Sequence, residues 1–225
     1  MRTKITIRFW RGSEAGGSVV EMTAPHFRPP QQARSRESLQ KLLTSAEHVL
    51  STGGIDDFTV AAVAEHAGVS VGAIYRRFSG KERLLDAVKD QLLEQLESAV
   101  AEALRSARPG LRGAIEAFTS AMAGAFSGHT RAFPELLSGQ SADGAERGLR
   151  ALDTVQSALV DAVEPHLNDI ALPEPRAAAR FTARTIIGAC VHRAASCHSW
   201  PDDLTWTTWA DRTADMAVAH LTSRG

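Results

Sequence analysis

Cysteine is scarce in this chain, and long apolar runs are missing. Among 225 residues the cysteines are Cys190 and Cys197, too few for a disulfide framework. They favour free thiols in a reducing cytoplasm. No apolar run approaches the roughly 18 residues that a membrane span needs. Arg8 interrupts the short apolar stretch near the start, which therefore lacks the apolar core of a signal peptide. We expect a cytoplasmic protein with no membrane partner.

Net charge is also nearly absent, because 25 basic residues stand against 26 acidic ones. A whole-chain charge of −1 predicts no polyanion partner, so any nucleic-acid interpretation depends on how the charge is distributed. Residues 28–83 contain eight basic and six acidic residues, whereas residues 84–225 contain thirteen and eighteen. A mildly basic front part on an acidic rear part indicates two different roles.

Residues 1–32 are predicted to form a disordered tail. They contain the sequence GSEAGGS and the pair Pro29-Pro30, and they have no sustained helical period. Met22 lies inside this tail. The choice between Met1 and Met22 as the native start stays open, although the lack of pattern before Met22 favours the later one.

From Arg36 onward the hydrophobic spacing is helical and predicts an all-α fold. A first amphipathic helix ends at the pair Gly53-Gly54, since glycine accepts the left-handed conformation that closes a helix. A long helix then carries one apolar face made of Leu85, Val88, Leu92, Leu96, Ala99 and Ala103. Further helices are predicted over residues 111–127, 129–138, 142–166, 176–197 and 203–221.

Between the first helix and the long one, the sequence predicts a helix-turn-helix. Thr59 caps a helix of about two turns, Gly68 supplies a positive φ in the turn, and Ser70 caps the next helix. Val69 is expected to fill the turn against the core. Ile74 and Phe78, four residues apart, are expected to share the buried face of the second helix.

The other face of that second helix is basic and free of acids. No acidic residue occurs from Ser70 to Lys81. Small residues at the helix start allow a close approach to base edges, and the Tyr-Arg-Arg cluster follows them, as suits a major groove. The capped helix start also leaves amides available to a phosphate. The face comprises Val71, Gly72, Ala73, Tyr75, Arg76 and Arg77.

This segment resembles the DNA-binding domain of TetR-family transcriptional regulators over residues 36–88. The resemblance rests on Thr59, Val63, Ala64, Ala67, Gly68, Val69, Ser70, Gly72, Ala73, Ile74, Tyr75, Phe78, Lys81 and Leu84. One departure is that both residues between Tyr75 and Phe78 are arginine, where many members have an aromatic residue or histidine. The departure favours phosphate attraction or guanine readout and leaves the operator sequence open.

The resemblance implies an all-α homodimer with a helix-turn-helix DNA-binding domain at 33–83 and a helical ligand-binding and dimerisation domain at 84–225. Such a protein represses transcription from a palindromic double-stranded DNA operator and is released by a small-molecule effector. Thr59, Tyr75 and Lys81 would then hold phosphates, while 71–73 and Arg76 or Arg77 would face bases. The tail residues Arg34 and Arg36 would add phosphate or minor-groove contacts.

Two further sets of residues are predicted in the rear domain. Phe118, Met122 and Phe126 recur every four residues and, with Phe133, are candidates to line an effector pocket. The last two helices each have apolar stripes on two faces, which suits helices packed on both sides. The stripes assigned to a dimer interface are Phe181, Thr185, Gly188 and His192 on one helix and Trp206, Trp209 and Met216 on the other.

The sequence gives less support for a metal site or a catalytic site. Cys190, His192, Cys197 and His198 cannot converge from one straight helix, so no metal site is expected. No nucleophile motif, phosphate loop or dinucleotide fingerprint occurs, so neither a catalytic residue nor a cofactor is predicted. The alternatives left open are a helical small-molecule-binding protein and an enzyme, each without DNA binding. Effector identity, operator sequence, regulated genes and repression versus activation are not fixed by the sequence.

Overall fold

The computed structural model describes residues 31–130, 133, 142–196 and 202–223, and these residues form helices and turns with no strand among them. The predicted all-α fold is therefore confirmed. The proposed tail before residue 31, most of the predicted helix at 129–138, Cys197 and His198 lie outside the described residues. The helices are α1 (Gln31–Asp57), α2 (Val60–Ala67), α3 (Val71–Tyr75), α4 (Lys81–Arg105), α5 (Leu111–Gly128), α6 (Ala142–Val163), a 3₁₀ helix (Glu164–Asp169), α7 (Pro175–Ser196) and α8 (Trp206–Thr222).

Helix α1 begins earlier than predicted. It starts at Gln31, so Arg34 and Arg36 are exposed residues of its first turns and not part of a tail. Within α1, Gly54 has φ 74° and ψ −172°, a conformation that a residue with a Cβ rarely adopts. The predicted break at Gly53-Gly54 is therefore confirmed as an interruption, after which one more turn leads into α2.

Helices α1 and α2 share a core with the start of α4. Leu50, Phe58 and Val63 are fully buried there, and Ile74 of α3 packs into the same cluster. The sequence pattern had not singled out Phe58, because it lies in the short connection between α1 and α2. Burial of an aromatic side chain at that point stabilises the connection and, through it, the position of α2.

The buried face of α4 differs from the predicted one. It includes the row Leu84, Val88, Leu92, Leu96 and Val100, with Lys89, Gln91 and Leu93 also buried. Leu85 is half-buried and Ala99 is exposed. Steps of four residues advance by about 400°, so this face winds around the helix by about 40° per step. The buried face winds because α4 packs against different helices. It contacts α1 of the helix-turn-helix part and α5 and α6 of the following bundle.

The rear part is a bundle in which α5 contacts α4, α6, α7 and α8. The backbone N–H of Ala171 donates to the carbonyl of Leu221 at 2.8 Å, which fixes the end of α8 against the segment before α7. Helix α8 starts at Trp206 with Thr205 as its cap, three residues later than predicted. In the described part of the chain, no helix is long and apolar enough to span a bilayer.

Candidate nucleic-acid interface and cavity

The turn between α2 and α3 has the predicted geometry. Thr59 Oγ1 accepts a hydrogen bond from the N–H of Ala62 at 3.1 Å, and Ser70 Oγ accepts one from the N–H of Ala73 at 3.2 Å. Gly68 has φ 68° and ψ 37°, the left-handed conformation that closes α2. Both caps and the glycine turn are thus confirmed.

Two details of this unit were predicted wrongly. Val69 does not fill the turn, because its side chain is 38% exposed. The backbone closes the turn instead, with the N–H of Val69 donating to the carbonyl of Ala64 at 3.0 Å. Helix α3 ends at Tyr75, so Phe78 lies beyond it, where it is half-buried against the core that holds Ile74.

The outward face of α3 is solvent-exposed and acid-free. Tyr75 is 54% exposed, and Val71, Gly72, Arg76 and Arg77 are also exposed, while Ala73 is half-buried. A Cβ placed on Gly72 would meet nothing closer than the Arg76 guanidinium at 3.9 Å. The face is therefore open. Its side chains are small at the start of α3 and long and cationic at the end, so another molecule can approach the backbone of the first turn closely.

The basic residues around α3 differ in what they contact. Arg77 Nη1 donates to the carbonyl of Ser35 at 3.4 Å, which brings the first turns of α1 next to the end of α3. Lys81 Nζ donates to the carbonyl of Ile55 at 2.9 Å and lies 6.0 Å from the ring centroid of Phe58. Lys81 therefore joins the start of α4 to the α1–α2 connection, a structural role that the motif did not predict. Its phosphate contact remains a prediction.

A cavity of about 220 Å³ lies between α4, α5, α6 and α7. Met122, Phe126 and Phe133 are in its wall, and the Phe126 and Phe133 rings stack with centroids 4.5 Å apart. Phe118 is fully buried but is not in this wall. The reason is the same drift of about 40° per four residues, which turns Phe118 about 80° away from Phe126.

An ion pair that the sequence analysis missed connects the end of α5 with α1. His129 Nε2 lies 2.5 Å from Glu47 Oε1, and His129 Nδ1 lies 3.0 Å from the carbonyl oxygen of Ala125. Glu47 Oε2 accepts a hydrogen bond from Gln91 Nε2 at 3.0 Å. The hydrogen bond with Glu47 raises the pKa of His129, and the same bond lowers the pKa of Glu47. The two residues are 82 positions apart, so no local sequence pattern predicts this pair.

The outer face of α7 and α8 carries exposed apolar side chains. Phe181 is 62% exposed and Met216 is 60% exposed, and both border an apolar groove of about 220 Å³. Thr185, Gly188 and His192 are also exposed. The opposite faces are buried as predicted, through Ala183, Ile186, Cys190 and Ala194 on α7 and Ala210, Ala214, Ala217 and Leu221 on α8. Ile187, predicted on the same face of α7, is half-buried.

Trp206 and Trp209, assigned to the same outer face, are half-buried. The Arg193 guanidinium lies 5.0 Å from the Trp206 ring centroid and 5.7 Å from that of Trp209. Arg193 also forms an ion pair with Asp202 and donates to the carbonyl of Leu204 at 2.7 Å. These contacts draw both indole rings toward α7, so only part of each faces outward.

Cys190 is a buried thiol, as predicted, and burial raises its pKa to about 12. His192 is exposed, on another part of the α7 surface. Over residues 31–130, 133, 142–196 and 202–223, no group of three or more His, Cys, Asp or Glu side chains is arranged to hold a metal ion.

A two-helix unit with a left-handed glycine turn, joined to a helical bundle, is the architecture of helix-turn-helix transcriptional regulators. Residues 42–88 match the family described as bacterial regulatory proteins, tetR family. TtgW, an HTH-type transcriptional regulator of Pseudomonas putida, is 33% identical over 118 residues, which are 52% of this chain and 83% of TtgW. The chain belongs to the TetR family of transcriptional regulators.

Two further proteins are similar to this chain, one over a shorter stretch and one at lower sequence identity. The regulator BetI 1 of Chromohalobacter salexigens is 36% identical over 90 residues, which are 38% of this chain. The chain spans less than half the length of the curated BetI relatives, 43% in the case of BetI 1. The crystal structure of FadR from Bacillus subtilis in complex with stearoyl-CoA has a TM-score of 0.66 at 14% identity, over 81% of this chain and 98% of FadR. This last similarity is one of fold.

Proposed function

We propose that the protein is a ligand-responsive DNA-binding regulator, a repressor that a small molecule releases from a palindromic operator. The observation that carries the proposal is the exposed, acid-free face of α3, held in a helix-turn-helix by the Thr59 and Ser70 caps and the Gly68 turn. Helices presented in this way read the major groove of DNA. Such a regulator works in the cytoplasm, beside the chromosome.

The DNA contacts divide by chemistry. Residues 71–73 and Arg76 face base edges, because they lie on the outward side of α3 and its end. Thr59, Ser70, Tyr75 and Lys81 hold phosphates, which fix the register without reading sequence.

Arg34, Arg36 and Arg77 extend the same surface. The hydrogen bond from Arg77 to the carbonyl of Ser35 brings both α1 arginines close to the end of α3, and both are exposed. A cluster of exposed guanidinium groups attracts the DNA backbone, so these three residues add phosphate contacts.

A homodimer is the working form in this proposal. Exposed Phe181 and Met216 border an apolar groove on the outer face of α7 and α8, and a contiguous apolar surface of this kind is typical of an interface. Phe181, Thr185, Gly188, His192, Trp206, Trp209 and Met216 would meet their symmetry mates in an isologous contact. Two α3 helices about 34 Å apart then match successive major grooves.

The effector acts through α4. Leu93 and Leu96 of α4 line the cavity, and the same helix begins at Lys81, next to the α1–α2 connection. A ligand that favours a different position of α4 therefore also favours a different position of the two α3 helices. The shift is limited by the difference in ligand affinity between the two states. Control by a small molecule is supported by the fold shared with FadR, which was solved in complex with stearoyl-CoA.

The test begins with selection of an operator from a random duplex library by the full chain, followed by fluorescence anisotropy. We expect Arg76→Ala to weaken operator binding by about 1–3 kcal/mol, the range for loss of a base contact. Arg150→Ala is the matched control, because Arg150 is an exposed arginine on α6 that pairs with Glu146. Enrichment of no duplex, or equal affinity of Arg76→Ala and wild type, would refute the proposal.

A further inference from the structure

The cavity between α4, α5, α6 and α7 is lined by nonpolar residues throughout the part of the chain that the structure describes. Leu96, Met122, Phe126, Phe133 and Val155 are among them, and all five are buried. None of the described lining side chains carries a charge, and the only heteroatom among them is the weakly accepting thioether sulfur of Met122. A ligand in this cavity therefore leaves water without gaining a polar side chain as a partner.

The same four helices do bury polar side chains, but they bury them outside the cavity lining. Two of these groups have partners elsewhere: Thr119 Oγ1 donates to the carbonyl of Ile115 at 2.8 Å, and Gln91 Nε2 donates to Glu47 at 3.0 Å. A hydroxyl or charged group of a ligand would thus be buried without a hydrogen bond, which is unfavourable. The polar side chains that are buried on these helices but do not line the cavity are Lys89, Gln91, Thr119, Gln156 and Thr182.

The size of the cavity limits its ligand to about one ring. Its volume of about 220 Å³ is below the roughly 300 Å³ at which pockets for drug-sized ligands begin. An apolar cavity of about 150 Å³, lined by leucine, isoleucine and phenylalanine, stays dry and binds benzene. The larger volume here leaves room for one such ring with a short alkyl substituent.

The aromatic part of the lining favours a ring over a flexible chain. Phe126 and Phe133 stack with their centroids 4.5 Å apart, and Met122 lines the same space. A further aromatic ring packs well against such rings, and a thioether sulfur packs well against a ring edge. A rigid ring also loses less conformational entropy on binding than a chain of similar volume.

We propose that this cavity binds a small, uncharged hydrocarbon with a single aromatic ring, and that it discriminates against the same ring carrying a hydroxyl or a carboxylate. The binding is a property of the cavity and is measured without DNA. Only the role of this hydrocarbon as the effector rests on the proposed function.

The test is isothermal titration calorimetry of the full chain with two pairs of ligands of nearly equal size. The pairs are toluene with phenol and ethylbenzene with benzyl alcohol, and benzoate is the charged member of the set. We expect each hydrocarbon to bind at one molecule per chain, about tenfold or more tightly than its hydroxyl partner. Benzoate should show no saturable binding.

Ala151→Leu places the binding inside the cavity. Ala151 is a buried residue of the lining on α6, so the larger side chain occupies the space that the ring needs. Ethylbenzene affinity should fall by about tenfold or more. Ala145→Leu is the matched control, because Ala145 is exposed on the same helix and does not line the cavity, and its affinity should equal that of wild type.

Cooperative urea unfolding of each variant reports that it is folded. Ala151→Val, with a smaller added volume, replaces Ala151→Leu if the leucine does not fit, and should weaken ethylbenzene binding severalfold. The inference is overturned if neither hydrocarbon binds saturably, if phenol or benzyl alcohol binds as tightly as its hydrocarbon, or if the folded Ala151 variant keeps full affinity. Operator selection in the absence of hydrocarbon is a separate measurement, so failure of this inference and failure of the proposed function are distinct.

Discussion

The imidazole of His129 and the carboxylate of Glu47 form a half-buried ion pair, with Nε2 and Oε1 2.5 Å apart. The pair joins the end of α5 to the middle of α1, and Glu47 also accepts a hydrogen bond from Gln91 of α4. The edge of the His129 ring meets Phe133, with centroids 5.8 Å apart, and Phe133 is in the cavity wall. Two contacts, Phe133 with His129 and His129 with Glu47, therefore connect the cavity wall to helix α1.

The first prediction concerns pH. The pKa of His129 is raised from 6.5, so its contribution is complete below pH 6.5 and is lost as pH rises through the higher folded value. The pKa of Glu47 is lowered from 4.5, so its contribution is present above pH 4.5 and is lost as pH falls through the lower folded value. The pair should therefore stabilise the fold most between pH 4.5 and 6.5.

Urea unfolding of wild type and His129→Gln across this range measures the effect. We expect a difference of about 1 kcal/mol inside the window, a figure that allows for solvent screening of half-buried groups. Glu47→Gln should give the same difference, and the double variant should lose little more. A difference that is constant from pH 4 to pH 9 would show that His129 contributes packing and not charge.

The second prediction concerns the turn glycine. Gly68 has φ 68°, so a β-branched residue there is strained by about 1–3 kcal/mol. We expect Gly68→Val to lose operator binding while the α4–α8 bundle and the dimer persist. Gly68→Asn is the matched control, because asparagine tolerates the left-handed conformation. Sedimentation and fluorescence anisotropy on the three proteins test this prediction. Full operator binding by Gly68→Val would show that the left-handed turn at Gly68 is not needed for DNA binding.

The third prediction separates two roles of Lys81. The hydrogen bond from Nζ to the carbonyl of Ile55 contributes about 0.5–1.5 kcal/mol to folding, and the charge contributes to phosphate binding. Lys81→Ala should lose both. Lys81→Gln retains a donor for Ile55 but has no charge, so its stability should be nearer to wild type. Both variants should flatten the salt dependence of DNA binding by about one unit of slope. A slope unchanged in both would leave Lys81 with a structural role alone.

The fourth prediction concerns the dimer. Gly188 is exposed on α7, and a Cβ placed there meets no other atom within 4 Å, so Gly188→Arg is compatible with the fold of one protomer. We expect this variant to be a monomer in sedimentation at micromolar concentration and to bind the operator poorly. Leu149→Arg, at an exposed apolar residue of α6, is the control that stays dimeric. A dimeric Gly188→Arg protein would move the interface elsewhere.

Features that depend on residues close together in the sequence could be predicted from the sequence. The caps at Thr59 and Ser70 and the turn at Gly68 could be predicted because each acts within about three residues. The inward and outward faces of α7 and α8 followed from helical spacing in the same way.

Contacts between distant segments could not be predicted. Lys81 meets Ile55 across 26 residues and His129 meets Glu47 across 82, and neither partner is marked by periodicity. Phe118 was misplaced because a four-residue spacing drifts around a helix, so residues that recur along α5 do not all face one cavity. Helical spacing did not single out Lys89 either, which is buried where α6 approaches α4 at Gly148.

The most direct test of the central claim is a hydroxyl-radical footprint of the full chain on its selected operator. We expect two protected regions related by a two-fold axis, with centres about 34 Å apart along the duplex, and loss of both in Arg76→Ala. Protection of a single region, protection without symmetry, or an identical footprint from Arg76→Ala would contradict it.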